Sequence, residues 1–288
     1  MSSMNVLIVV NVSKDAAKGL ALEIQSLLKD DGIDSECIER GAWSVIPQDR
    51  HFDIAFSLGG DGTVLYAARL CAGAGIPVFP IHLGTLGFLA TLNPNNWGQA
   101  FRRWREGHAD VSARMMLQAK VIRKGSEVFS SICLNDAVIS STGGAHLIGF
   151  SLEMEDVSFP YKADGLIIST PTGSTAYSVA AGGPVMEGET ESIIINPICP
   201  FNFTNKTLIV PAEEKIRISM GQKRTRQAAI TMDGQIVFAI QAGDEIHIEK
   251  APHKALLAAS GRKAFYNALQ TKLFNINTDK TEKTEKKS

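Results

Sequence analysis

The sequence contains few cysteines and none of the short spacings that bind metal ions. Its 288 residues include 4 cysteines and 6 histidines, and neither a CxxC pair nor an HxH or HExxH run occurs among them. Widely separated cysteines predict free thiols in a reducing cytoplasm rather than disulfides or a zinc site. We therefore expect a cytoplasmic protein, and we assign no residue as a metal ligand.

An excess of charge of one sign is also missing. The chain has 29 Lys and Arg against 30 Asp and Glu, which leaves a net charge of −1. Without a basic surplus, neither nucleic acid nor a membrane surface is expected as a partner. No apolar run approaches the roughly 20 residues of a membrane span, and the first residues lack the basic flank of a signal peptide.

The common nucleotide-binding and catalytic motifs are absent as well. The chain has no GxxxxGK[ST] run, and no GxGxxG fingerprint opens its first helix. A GxSxG nucleophile elbow and the HRD and DFG motifs of protein kinases are also missing. Any nucleotide that this protein binds must therefore be held in another way.

One glycine-rich stretch, residues 59–63 (GGDGT), lies between a predicted strand at 53–58 and a predicted helix. Its three glycines would let the backbone take positive φ and approach a ligand closely. Consecutive N–H groups at a helix start bind phosphate. Asp61 would repel that phosphate unless it meets a metal ion or accepts a proton from a hydroxyl. The alternative is a tight turn in which Asp61 caps the helix.

The pattern of predicted secondary structure changes near residue 110. Strands alternate with helices over 1–110, which predicts an α/β domain with a Rossmann-like parallel sheet whose ligands bind beyond the carboxyl ends of the strands. Short strands separated by turns predict a β-rich, sandwich-like domain over 111–260. Residues 261–277 predict a helix that packs back on the first domain. Residues 278–288 contain no apolar side chain and predict a disordered tail.

Two further loops carry polar or small residues after a predicted strand. Residues 82–89 (HLGTLGFL) read either as a second glycine-bearing site loop or as a plain connector. Residues 169–175 place five hydroxyls in seven positions, which suits a sugar, a phosphate or a base edge, and Tyr177 could stack on a ring. The alternative is a Ser/Thr-rich turn that caps a helix. By itself, the Asp233-Gly234-Gln235 run is typical of a hairpin turn.

Together these stretches resemble the NAD kinase family over roughly residues 5–275. The GGDGT run alone also occurs in lipid kinases and phosphofructokinases. Its position about 110 residues before the run TPTGSTAY is much more specific. The other matching stretches are Leu86-Gly87-Phe88, Leu134-Asn135-Asp136, Asp164-Gly165-Leu166 and Asp233-Gly234-Gln235.

The resemblance implies Mg²⁺-dependent transfer of the γ-phosphoryl group of ATP, or in some members of polyphosphate, to the adenosine-ribose 2′-hydroxyl of NAD, which gives NADP. Asp61 would accept the proton. The phosphate-donor loop would consist of Gly59, Gly60, Gly62 and Thr63. The residues that would bind the substrates are Asp61, Gly62, Phe88, Asn135, Asp136, His146, Lys162, Asp164, Thr172, Thr175, Ala176, Tyr177, Ser178, Val179, Ala180 and Gln235.

The same resemblance implies a homo-oligomer, commonly a tetramer, whose substrates are the small molecules NAD and ATP or polyphosphate. Two alternatives remain open from the sequence. One is a lipid kinase of the diacylglycerol or sphingosine type, which shares GGDGT and a β-rich second half. The other is a non-catalytic nucleotide-sensing module, in which Asp61 would be idle. The hydroxyl-rich loop favours a dinucleotide acceptor over a lipid.

Overall fold

The computed structural model describes residues 4–43, 45–84, 86–108, 110–143, 147–202, 206–221 and 228–274. The chain divides into two compact units. The first combines the chain up to Ser112 with the segment from Leu256 onwards, and the second runs from Ala113 to Ala255. Over the described residues, no helix combines the length and the apolar character that a membrane crossing needs.

Strands and helices are numbered in chain order. The strands are β1 (Asn5–Val10), β2 (Asp34–Glu39), β3 (Ile54–Gly59), β4 (Val78–His82), β5 (Val111–Arg114), β6 (Leu117–Arg123), β7 (Ser126–Cys133), β8 (Asp136–Ser141), β9 (Ile148–Met154), β10 (Val157–Ala163), β11 (Gly165–Ser169), β12 (Ser192–Ile198), β13 (Leu208–Pro211), β14 (Ile216–Met220), β15 (Ala228–Met232), β16 (Ile236–Ile240), β17 (Glu245–Lys250) and β18 (Ala255–Ala258). The helices are α1 (Asp15–Asp30), α2 (Asp61–Ala72), α3 (Trp97–Arg105), α4 (Tyr177–Ala180) and α5 (Arg262–Lys272), and a 3₁₀ turn covers Thr172–Thr175.

The first unit is built on a sheet with the strand order β2-β1-β3-β4-β18-β5. Strands β2, β1, β3 and β4 run parallel. The β-branched run of β1 is buried from Val6 to Val10, as expected of a strand covered on both faces. Gly59 at the end of β3 pairs with His82 at the end of β4. This register places the loops that follow the two strands side by side.

An aromatic cluster forms much of the core of this unit. Phe56 on β3 lies 5.4–5.5 Å, ring centroid to ring centroid, from Phe79, Trp97 and Phe101, all in edge-to-face arrangements. Aromatic pairs favour this geometry because a positive ring edge meets a negative ring face. The cluster therefore fixes α3 against β3 and β4, the two strands whose carboxyl ends carry the candidate site.

The second unit is a sandwich of two six-stranded sheets. Their strand orders are β10-β9-β14-β17-β6-β7 and β13-β12-β11-β8-β15-β16. The strand pairs within both sheets are antiparallel. Inward-facing side chains of both sheets, such as Ile139 and Leu152, share one buried apolar cluster. The predicted fold class, an α/β part followed by a β-rich part, is confirmed.

The sequence patterns predicted no strand at β10 or at β18, and the reason can be identified in each case. Strand β10 contains Pro160, which cannot donate to a ladder and argues against a strand in the interior of a sheet. Strand β10 is an edge strand of its sheet, where a missing donor is tolerated. Strand β18 has the sequence ALLA, whose residues favour a helix, but it pairs in parallel with β4 at Val78.

Candidate active site

Asp61 is the first residue of α2 and follows β3 directly. The N-cap position of α2 is occupied by Gly60, so Asp61 does not cap its own helix. Its carboxylate instead accepts three backbone N–H groups from the loop after β4. Phe88 N–H donates to Oδ2 at 3.0 Å, while Leu89 N–H and Ala90 N–H donate to Oδ1 at 3.2 Å and 2.9 Å. Three donors from consecutive residues fix both oxygens of this side chain.

We call residues 86–92 the carboxylate loop. Gly87 lies directly against the side chain of Asp61: a Cβ added to Gly87 would overlap Oδ1 and stand 2.6 Å from Cγ. Only glycine leaves room for the carboxylate at this point. The loop is pinned at its base, where Leu92 N–H donates to Pro80 O at 3.0 Å and His82 N–H donates to Leu92 O at 2.7 Å. Residues 82–89, which the sequence left open as a plain connector, therefore include residues that bind the side chain of Asp61.

The glycines of the donor loop act differently from the sequence-based expectation. Gly59, Gly60 and Gly62 do not take positive φ, so that part of the expectation is wrong. Gly59 is needed for space, because a Cβ there would overlap the side chain of the buried Thr63. A Cβ on Gly60 would meet nothing within 4 Å. The backbone at Gly60 is therefore open to an approaching ligand.

In the second unit, Asp233 holds the loop that precedes β8. Its Oδ1 accepts the N–H groups of Asn135 at 2.7 Å and Asp136 at 3.4 Å, and its Oδ2 accepts Leu134 N–H at 3.1 Å. Asp233 lies in the hairpin between β15 and β16 with φ of +51°. The sequence analysis selected only Gln235 from this turn and missed Asp233, since an Asp-Gly pair in a hairpin carries no sign of a long-range contact.

Two side chains of that loop combine burial with polarity. Asn135 Oδ1 is buried and has no hydrogen-bond partner within the described residues, whereas buried polar atoms normally have one. Asp136 is only 4% exposed. Burial, and secondarily the negative charge of Asp233, raises the pKa of Asp136 to about 7. Its carboxyl is thus able to donate as well as to accept a hydrogen bond near neutral pH.

The five hydroxyls of residues 169–175 bond mainly to the protein itself. Thr170 Oγ1 donates to Leu134 O at 2.6 Å and accepts Gly173 N–H at 3.0 Å. The other four hydroxyls donate to carbonyl oxygens of nearby backbone; they belong to Ser169, Thr172, Ser174 and Thr175. A Cβ on Gly173 would overlap Asn135 O. The hydroxyls of Ser169 and Thr170 therefore hold the turn against residues 134–135, while those of Thr172 and Ser174 bond to residues 186–188.

The remaining predicted substrate-binding residues of this stretch lie in the 3₁₀ turn and in α4. Tyr177 begins α4 and is 47% exposed, so its ring is accessible from solvent. Ser178 is buried, and its carbonyl accepts Asn196 Nδ2 at 3.0 Å. The other predicted positions of the 3₁₀ turn and α4 are Thr172, Thr175, Ala176, Val179 and Ala180.

The predicted site residues thus form two groups, one in each unit. Asp61, Gly62 and Phe88 belong to the first unit, and Asn135, Asp136 and the 169–180 stretch are brought together in the second. Lys162 is exposed near the end of β10, and Asp164 is half-buried just before β11. Gln235 follows Asp233 in the hairpin and donates its N–H to Met232 O at 2.9 Å. His146 lies outside the described residues.

No set of three His, Cys, Asp or Glu side chains in the described part of the chain is placed to share a metal ion. The first unit offers a fixed carboxylate and an open glycine backbone at a helix start. The second unit offers a buried amide oxygen and an exposed aromatic ring. A fixed carboxylate, a helix start open to phosphate and polar groups that can bind a base are the elements that a nucleotide-binding phosphotransferase needs.

Comparison with known proteins narrows this class to one family. The profile of the ATP-NAD kinase N-terminal domain matches residues 44–109, and that of the ATP-NAD kinase C-terminal domain matches residues 134–260. An NAD kinase of Treponema denticola is 40% identical over 270 residues, which cover 93% of this chain and 95% of the relative. An NAD kinase of Geobacter sulfurreducens is 37% identical over 236 residues, 81% of this chain and 83% of the relative.

Two solved structures share the fold. A yeast NADH kinase complexed with NADH superposes with a TM-score of 0.82 at 22% identity, over 96% of this chain and 88% of that chain. An NAD kinase from Archaeoglobus fulgidus in complex with ATP gives a TM-score of 0.74 at 28% identity, over 95% and 100%. The chain belongs to the NAD kinase family. The predicted family, and with it the predicted NAD kinase phosphotransferase activity, are confirmed.

The raised pKa of Asp136 predicts a pH-dependent stability. Because the folded-state pKa of about 7 lies above the ordinary value of about 4, folding favours the protonated carboxyl. This contribution is fully present below about pH 4 and is lost as pH rises to about 7. Asp136→Asn removes the titration. The free energy of unfolding of the wild type should therefore fall relative to that of Asp136→Asn between pH 4 and about 7, by on the order of 1.4 kcal/mol per unit of pKa shift.

Urea denaturation at several pH values measures this difference. The control is Asp156→Asn, which removes an exposed carboxylate from the turn between β9 and β10 and should run parallel to the wild type. Parallel curves for Asp136→Asn would show that the carboxyl titrates equally in the folded and unfolded chains.

Proposed function

We propose that this chain transfers the γ-phosphoryl group of ATP to the 2′-hydroxyl of the adenosine ribose of NAD, with Asp61 as the proton acceptor. The observation that carries this proposal is the Asp61 carboxylate, fixed by three loop amides at the carboxyl ends of β3 and β4. The known relatives and the solved complexes named above, one with ATP and one with NADH, support the choice of substrates.

The donor phosphates would lie against the backbone at Gly60 and the start of α2. A helix start carries a positive partial charge that favours an anion, and the side of Gly60 where a Cβ would stand is open. Phosphoryl transfer depends mainly on positioning and on neutralising charge. We propose that Mg²⁺ supplies the neutralisation and arrives bound to the phosphates of ATP, the usual arrangement where substrate phosphates are present.

A ribose hydroxyl attacks poorly while it keeps its proton. In the proposed step the 2′-hydroxyl gives its proton to Asp61, its oxygen forms a bond to the γ-phosphorus, and the bond from that phosphorus to ADP breaks. A positioned general base contributes about 10²–10⁴-fold to such a reaction. The three amide donors hold the carboxylate in one place, which is the preorganisation that the step requires.

The NAD acceptor would occupy the loops of the second unit. Asn135 Oδ1 is buried without a partner in the described residues, so an amino group of the adenine ring would complete its hydrogen bonding. The exposed ring of Tyr177 would stack on a planar base. The carboxyl groups of Asp136 and Asp164 and the cation of Lys162 would meet polar groups of the dinucleotide, as the family resemblance implies.

The remaining positions of the proposed substrate-binding set follow from the resemblance alone. They are Gly62, Phe88, His146, Thr172, Thr175, Ala176, Ser178, Val179, Ala180 and Gln235. We also propose the predicted division of labour along the chain, with the donor loop in residues 1–110 and the NAD loops in 111–260. A cytoplasmic homo-oligomer, such as a tetramer, completes the proposal.

Asp61→Asn tests the proton acceptor. The amide occupies the same volume but is a far weaker base, so NADP formation should fall at least about 10²-fold while the fold is kept. The measurement is a coupled glucose-6-phosphate dehydrogenase assay with NAD, ATP and Mg²⁺, and with polyphosphate in place of ATP in parallel. Asp15→Asn is the matched control, because Asp15 is the first residue of α1 and should be replaceable. Near wild-type turnover in Asp61→Asn would remove Asp61 from this role.

Gly87→Ala tests the geometry without touching the acid. The added methyl must displace the Asp61 carboxylate, and a displacement of about 1 Å costs up to 10²-fold in rate. We expect the turnover rate to fall at least about 10-fold. Gly98→Ala in α3, where a Cβ meets nothing within 4 Å, is the control and should keep full activity. Equal activity of the two variants would contradict the proposed placement of Asp61.

Tyr177→Ala tests the acceptor loop. Loss of base stacking is worth about 1–3 kcal/mol, so the KM for NAD should rise about 5- to 100-fold while the KM for ATP changes little. Tyr177→Phe keeps the ring and should behave as the wild type. Equal rises in both KM values, determined by steady-state kinetics, would argue against stacking on the acceptor.

A further inference from the structure

The chain segment that follows β18 bonds to the carboxylate loop. We call residues 259–272 the clamp segment. The hydroxyl of Ser260 donates to Leu89 O at 3.3 Å, and the hydroxyl of Thr91 donates to Ala259 O at 3.0 Å. The two hydroxyls lie 3.4 Å apart, and Ser260 is only 3% exposed. The clamp segment therefore bonds to Leu89, the middle one of the three residues whose amides bind Asp61.

The backbone of the clamp segment is held in an unusual conformation at the contact. Ala259 has φ of +54°, in the left-handed region that non-glycine residues seldom adopt. Its N–H donates to Asp110 O at 3.0 Å, and its carbonyl is the acceptor for Thr91. Strained residues persist where their surroundings determine the geometry, and they cluster at functional sites. Hydrogen bonds at both the N–H and the carbonyl of Ala259 therefore hold this backbone conformation at the contact.

A second contact comes from the far end of the clamp segment. Lys272, the last residue of α5, places its Nζ 5.4 Å from the centroid of the Phe88 ring, within the range of a cation–π interaction. Phe88 supplies the amide that binds Asp61 Oδ2. The two ends of the clamp segment therefore contact neighbouring residues of one short loop.

We propose that the clamp segment positions the Asp61 carboxylate through the carboxylate loop, with Thr91, Ser260 and Lys272 as positioning residues for phosphoryl transfer. This inference rests on the proposed function. The base of the loop is pinned to β4, but its amide-bearing residues 88–90 lie beyond that base. Contacts from the clamp segment would hold those residues, and with them both carboxylate oxygens. Since none of the three positioning residues contacts a substrate in this scheme, they should influence kcat rather than KM.

The test is a double variant, Thr91→Val with Ser260→Ala, which removes both hydroxyls at nearly constant volume. We expect kcat for NADP formation to fall about 10-fold, with the KM values for NAD and ATP changed less than twofold. Thr91→Ser keeps a hydroxyl at this position in an otherwise wild-type chain and should keep full activity. Thr271→Val is the matched control, because the Thr271 hydroxyl donates to Asn267 O of its own helix. It should leave kcat unchanged.

Lys272→Met tests the second contact and should lower kcat several-fold, with recovery in Lys272→Arg. Wild-type kcat in the double variant and in Lys272→Met would overturn the proposal, as would an unchanged kcat with a raised KM. If the double variant does not fold, Thr91→Val and Ser260→Ala are measured singly. About threefold losses of kcat support the clamp, and wild-type values overturn it.

Amide hydrogen exchange gives a readout that does not depend on turnover. In the double variant the amides of Leu89 and Ala90 should exchange at least about 10-fold faster than in the wild type, while those of α2 stay protected. Unchanged exchange at both amides would overturn the proposal. If the wild-type protein formed no NADP, the proposed function would fail on its own, and the exchange experiment would still decide whether the clamp segment holds the loop.

Discussion

The candidate site depends on one interaction, the binding of the Asp61 carboxylate by the amides of residues 88–90. Parallel pairing of β3 with β4 brings the two loop starts together. Two glycines keep the space clear, since Gly59 leaves room for Thr63 and Gly87 leaves room for Asp61 itself. A side chain on either glycine would push apart the elements that this interaction joins. The binding of the Asp61 carboxylate therefore depends both on the register of β3 with β4 and on the space left by the two glycines.

The second unit also contains a carboxylate that binds consecutive backbone amides. Asp233 also binds consecutive amides, those of residues 134–136, from a neighbouring hairpin. A carboxylate that accepts several backbone N–H groups orders a loop that has no regular hydrogen-bonding of its own. Asp233 is almost fully buried, whereas Asp61 is half-buried. Asp233 therefore serves to hold Asn135 and Asp136, whereas the side chain of Asp61 keeps some contact with solvent.

Much of the fold was predictable because its strands are strongly patterned. The buried run of β1 and the regular short strands of the second unit carried clear signals. Strand β10 did not, since Pro160 is tolerated only through its edge position, which no local pattern reveals. The motifs predicted which stretches belong to the candidate site, but they did not predict the hydrogen bonds and steric contacts that its residues make. None of the donor-loop glycines takes positive φ, and Gly59 instead leaves space for Thr63. The hydroxyls of residues 169–175 bond mainly to neighbouring backbone.

The sequence by itself determined the family and the order of an α/β part and a β-rich part, because these depend on local runs and motifs along the chain. Only the tertiary structure decided what Asp61 and Asp233 bind and why Gly87 must be glycine. It also decided that Ser260 and Lys272 reach the carboxylate loop. These facts join residues from separate elements, and the distance between such residues is set by sheet register and packing, which short-range sequence patterns do not encode.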